Sequence, residues 1–245
     1  MIFFKPDICF KVKTLDETVA DFCKRIKSSN NSYELSILKD FLPLKEYDEV
    51  AVKAKLKSIY NIHVMQGEKQ IKSIQAYWQK IEKRFFDVLN ECLDLNLFGE
   101  VQTYCMLDCL PLPLISCKGK KISLPITESL DNNIRFALNH IVKYFLLKKF
   151  IEKGSKSFNF EYNRDSAYWI MADLVADSLF FHTDLKEFAH NTAYKYYYGL
   201  KIKNGNLIDY IRSIYPKMEI MDFMQYVLDF VGENIAIFSK FTNRY

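Results

Sequence analysis

The sequence predicts an α+β, helix-rich fold with a small sheet, and three observations carry that prediction. Apolar residues recur at three- and four-residue spacing over 71–92, 134–145 and 166–181, which is the period of a helix with one buried stripe. Two short β-rich segments, near 101–109 and 122–126, stand between the first two of these stretches. Apolar residues make up 49% and aromatics 16%, enough for a sizeable core, while 7 Gly and 6 Pro are too few for a disordered, collagen-like or glycine-rich nucleotide-binding chain.

In order, residues 1–13 alternate around Ile8, Phe10 and Val12 as a strand. Thr14 and Glu17 form a capping box that opens a helix to about Ile26. A polar break at 28–32 precedes a short helix, 33–41, which stops at Leu42-Pro43 because the residue before proline avoids helical dihedrals. An amphipathic helix follows over 46–60, with Val50, Ala54 and Leu56. The pattern lapses at 61–67, and a boundary placed there separates a mostly helical N-terminal extension with one strand, 1–66, from a main domain, 67–245.

The longest helix, 68–94, carries Ile71, Ile74, Tyr77, Trp78, Ile81, Phe85, Val88, Leu89 and Cys92 as a core stripe. After the first β-rich segment, Leu110-Pro111-Leu112-Pro113 cannot continue a central strand, and Lys118-Gly119-Lys120 reads as a turn. The central helix runs from 131 to about 152, with Gly154 as its stop. Beyond a polar loop, the helix over 166–181 places Asp173 and Asp177 on one face. A Tyr-rich stretch, 182–199, and two helices separated by Pro216, 206–215 and 219–230, complete the chain.

Composition narrows the function classes. With 34 basic and 30 acidic residues the net charge of +4 is too balanced to imply nucleic acid. The N-terminus lacks the apolar region of ~7–15 residues that a signal peptide needs. No apolar run approaches the roughly 20 residues that cross a bilayer. Cys9, Cys23, Cys92, Cys105, Cys109 and Cys117 therefore read as reduced thiols of a soluble, cytoplasmic protein with no membrane contact. No G-x-S-x-G, P-loop or G-x-G-x-x-G occurs.

The chemistry-bearing stretch is Asn139-His140-Ile141-Val142-Lys143-Tyr144 on the central helix. Positions 139 and 143 are four apart and share a helix face, the geometry of the two histidines in H-E-x-x-H. Taken with the order of elements over 68–230, this resembles the zincin-like metallopeptidase superfamily. There a long helix leads to an edge strand and a second strand, the H-E-x-x-H-[YF] helix follows, and a further helix supplies the third zinc ligand. Matched to that pattern, Asn139 replaces the first histidine, His140 the general-base glutamate and Lys143 the second histidine. Tyr144 agrees with the aromatic, and the third ligand falls on Ala172 or Asp173.

A catalytic zinc site needs three protein ligands and an open position for water. Asparagine is a poor ligand and an ammonium repels the metal, so the resemblance implies a pseudoenzyme without zinc or other cofactor. It would act as a binding or scaffolding module whose former active-site cleft receives a protein or peptide partner. Two rivals stand beside it. One is an enzyme, either a divergent metal-dependent hydrolase using His140, Asp173, Asp177 and His182 or a thiol enzyme. The other is a helical interaction module unrelated to zincins, which predicts no strand pairing near 101–126.

Blander readings are available for each residue. His140 can be a core histidine, and Asp173 and Asp177 either a solvated face or partners for Lys143 in place of a metal. His182 and His190, with Asp184 and Glu187 between them, fit a surface loop. In a strand Cys105 and Cys109 would lie ~13 Å apart, too far to share a metal. Lys53, Lys55 and Lys57, at two-residue spacing on a helix, and Lys118, Lys120 and Lys121 read as solvated surface. The run Tyr194–Tyr198 could stack on a ligand ring or form an ordinary aromatic layer. The oligomeric state is left open by the sequence.

Overall fold

The computed structural model describes residues 7–29, 32–93, 102–117, 119–126, 129–154, 167–188, 197, 199–202 and 205–242. The predicted class holds: the protein is a helix-rich α+β fold with a four-stranded sheet and a separate two-stranded ribbon. In the main sheet β1 (Ile8–Val12) pairs in parallel with β2 (Thr103–Asp108), β2 in parallel with β4 (Lys121–Pro125), and β4 antiparallel with β3 (Leu114–Ser116). The ribbon joins β5 (Lys201–Ile202) to β6 (Gly205–Asn206). Strand β3 is an addition to the sequence reading. The prolines at 111 and 113 do bar a central strand, but three residues beyond them are enough for an edge.

Helix α1 (Leu15–Ser28) opens on the predicted capping box: the Glu17 N–H donates to Thr14 Oγ1 at 3.2 Å, and the Thr14 N–H donates to Glu17 Oε2 at 3.0 Å. Partial burial works to raise the Glu17 pKa. The hydrogen bonds from the Thr14 N–H and the Lys11 ammonium outweigh that and hold it at about 2, against an ordinary 4.5. A folded value below the unfolded one gives stability that is present above about 4.5 and lost as pH falls through about 2. Glu17→Gln is therefore expected to cost about 1 kcal/mol at neutral pH and to flatten the fall in melting temperature between those two values. Parallel melting curves of the two proteins across that range would contradict the assignment.

Helix α2 (Ser32–Phe41) ends at Pro43 as read. The two helices placed over 46–60 and 68–94 are one: α3 (Glu49–Leu93) is continuous for 45 residues, roughly 70 Å at 1.5 Å per residue. The lapse at 61–67 is thus no break, and the division at 66/67 falls inside a helix. Its two ends serve different cores. Val52 and Leu56 pack with Val19, Phe22, Leu38, Leu42, Leu110 and Leu112 in a small N-terminal cluster. Ile74, Trp78, Phe85 and Leu89 enter the main core, where Trp78 meets Phe10, Phe85 and Phe86 edge-on with centroids 5.4–5.6 Å apart. Between them no residue of 57–66 is buried. Gly67 crosses the end of the sheet so closely that a Cβ there would lie 3.0 Å from Ile126 and 3.1 Å from Val12.

One face of the sheet, Ile8, Phe10, Cys105, Leu107, Ile122 and Leu124, packs into the main core with α4 (Leu130–Gly154) and α5 (Ala167–His182). Helix α5 is apolar around its circumference and buried throughout 169–180, the pattern of a helix with neighbours on every side. A 3-10 turn (Asp184–Glu187), α6 (Leu207–Ile214), α7 (Ile220–Glu233) and a short α8 (Ile235–Thr242) close around it, with α7 its principal partner. Among the described residues no helix is long and apolar enough to cross a membrane.

Candidate functional site

The central helix was read as amphipathic, with polar groups between apolar ones. In the fold both sides of α4 are covered, and every residue of 137–147 is buried. The sheet takes one side and α5 the other, so Asn139, His140, Lys143 and Tyr144 lie inside, all between 0 and 5% exposed. Asp173 and Asp177 are each 2% exposed, which overturns the solvated-face reading of that pair. The expected cleft is closed over these six residues.

The centre is an ion pair. The Lys143 ammonium contacts Asp173 Oδ1 with both side chains at most 2% exposed. Trp169, one turn before Asp173, places its ring 4.7 Å from the same ammonium. Tyr197 donates its hydroxyl to Asp173 Oδ2 at 3.1 Å. The lysine thus has a carboxylate and an aromatic face, and the carboxylate has an ammonium and a hydroxyl. Taking two charges from water costs several kcal/mol per ion, and only partners on both groups offset it.

His140 borders this centre. Its Nδ1 lies 2.8 Å from the Phe136 carbonyl, which only accepts, so Nδ1 carries the proton. Its ring stands 5.7 Å from Trp169. Asp177 belongs to a second pair: Arg212 of α6 reaches it bidentately at 2.8 and 3.0 Å and lies 4.2 Å from the Phe181 ring. His182, the exposed last residue of α5, donates Nε2–H to the Arg212 carbonyl at 2.8 Å.

The four residues of the divergent-hydrolase reading are therefore not brought together. Lys143 holds Asp173, Arg212 holds Asp177, and His182 sits at the surface. Asp184 and Glu187 are engaged by Arg84 at 2.7 and 3.0 Å, while His190 and most of the Tyr194–Tyr198 run lie outside the described residues. Among the described residues no group of three His, Cys, Asp or Glu could hold a metal. The side chains at 139, 140, 143 and 173 do not fit zinc, because the Lys143 ammonium contacts the Asp173 carboxylate.

Cys105 packs in the main core and Cys109 in the N-terminal cluster, and burial pushes Cys109 and Cys117 up to about 12, far from a thiolate at neutral pH. The pairing of β2 with β4 removes the prediction of the purely helical rival.

Trp169 and Arg212 lie outside the sequence reading, and Tyr197 enters it only as part of the Tyr194–Tyr198 run. Trp169 has a local signal, standing four residues before Asp173 on the same helix face. Fold and site together define a helix-rich α+β protein with a buried lysine–aspartate centre. Comparison with family models, with curated proteins and with solved structures finds no match for this chain.

Proposed function

We propose that this is a non-catalytic protein of zincin-like descent that works by binding a protein or peptide, with the Lys143–Asp173 pair in the place of a metal. The observation that carries this reading is that contact itself: the residue matched to the second histidine neutralises Asp173, one of the two residues matched to the third ligand. The order of elements supports it as well, with β2 and β4 before the motif helix and the acidic helix α5 after it. The polar centre then serves the architecture, and a partner meets the outer surface, since the six site residues are at most 5% exposed.

Elemental analysis by inductively coupled plasma tests the central claim. Purified protein is expected to hold no stoichiometric zinc, and its melting temperature to be unmoved by EDTA. One zinc per chain, lost on substitution of His140 or Asp173, would overturn the reading.

A further inference from the structure

Helix α3 leaves its cores in mid-course, and what it shows to solvent there is ordered. Every seventh residue from 55 (Lys55, Ile62, Lys69, Ala76, Lys83) and every seventh from 58 (Ser58, Met65, Lys72, Gln79) is exposed. They stand at the a and d spacing of a heptad along one unbroken helix, a seam in which Ile62, Met65 and Ala76 are apolar and four of the nine residues are lysines. At its middle Ile62 is 71% and Met65 62% exposed, an apolar pair that belongs to neither core. Lysines flank the pair on both sides; no carboxylate stands on the seam itself, while Glu68 and Glu82 stand one residue before Lys69 and Lys83. Among the described residues none of Lys55, Lys69, Lys72 and Lys83 makes an ion pair; the α3 lysine that does, Lys53 with Asp16, lies on another face.

We propose that this seam docks an acidic amphipathic helix of another protein, with apolar side chains over Ile62 and Met65 and glutamates or aspartates opposite the lysines. The charge pattern selects this occupant. In a second copy of the chain, parallel pairing would set each seam lysine against itself, and antiparallel pairing centred on Ile62 and Met65 would set Lys72 against Lys55. A nucleic acid would use the lysines, but its phosphates offer nothing to two exposed aliphatic side chains at the centre. Lysine at an a position weakens a general seam and narrows the choice of partner. This rests on the reading of the protein as a binding module and names the surface and partner chemistry for it.

The test uses the full chain and a labelled synthetic helix of about four heptads with Leu at the central a and d positions and Glu at the outer ones. Fluorescence anisotropy is expected to show binding that weakens with salt. Ile62→Asp with Met65→Asp, and separately Lys69→Glu with Lys72→Glu, should each weaken it at least about tenfold, and a Lys-for-Glu peptide should recover the second variant. Both variants change exposed side chains only, and circular dichroism verifies their fold. The proposal is overturned if the peptide does not bind, if a Ser-for-Leu peptide binds equally well, or if duplex DNA binds and the Ile62/Met65 variant leaves that binding intact. Zinc content is measured independently, so failure here leaves the reading of the polar centre standing, and stoichiometric zinc would sink that reading alone.

Discussion

Lys143→Met is expected to cost the protein about 3–5 kcal/mol, because it strands a buried carboxylate. Asp173 would keep the Tyr197 hydroxyl at 3.1 Å but lose the ammonium that contacts its Oδ1. Asp173→Leu should cost a similar amount by leaving an ammonium in the same place. The double variant Lys143→Met with Asp173→Leu is the informative one. Replacing a buried pair by apolar groups of like volume is often neutral or better, so it should recover to within about 1 kcal/mol of the original or exceed it. Urea unfolding of the four proteins gives the cycle. Additive losses would mean that Lys143 and Asp173 matter separately, and the account of one replacing a metal for the other would fail. Recovery would mean the pair is kept for something other than net stability.

The buried pair also shows which parts of this molecule could be read from residues alone. Helical spacing and end signals located α1, α2, α4 and α5 to within a residue or two, because each has enough apolar residues turned to a core and a polar break at its ends. The same signal misread α3. Over 61–67 Ile62 and Met65 turn away from both cores and Val64 is only half-buried, so the periodicity lapses although the backbone has no reason to stop. Gly67, read as part of a break, is a place where backbone passes over Val12 and Ile126. Polarity on α4 was legible, but whether it met water was not. That depended on α5 covering the far side, and the partners Tyr197 and Arg212 lie 24 and 35 residues from the carboxylates they hold. The N-terminal strand was legible; its parallel pairing with β2, which ties the extension to the main sheet, was not.

That tie gives the second large effect. Lys13→Met is expected to destabilise the protein by about 3–5 kcal/mol at neutral pH, again by stranding buried charge. Lys13 is 2% exposed at the end of β1 and donates to Asp108 Oδ2 at 2.8 Å and to Asp21 of α1. Asp108, the last residue of β2, also accepts from Thr18 Oγ1 at 3.0 Å, and the Tyr60 hydroxyl of α3 donates to the Lys13 carbonyl at 3.0 Å. One ammonium therefore joins the carboxyl ends of two strands to α1, and its own backbone is held by α3. Without it, Asp108 and Asp21 would face each other as like charges. Burial works to lower the Lys13 pKa, and the attraction of Asp108 and Asp21 outweighs this and holds it above 10.5. A raised folded value means the contribution is complete below 10.5 and is lost as pH rises through the folded value. The gap between the original protein and Lys13→Met in urea unfolding should therefore be constant through neutral pH and narrow at strongly alkaline pH. A gap that opens only in acid would place the stabilisation on another group. Because Lys13 couples the small N-terminal cluster to the sheet, the variant should also expose α1 and α2 to hydrogen exchange before α4 and α5, which sit in the main core.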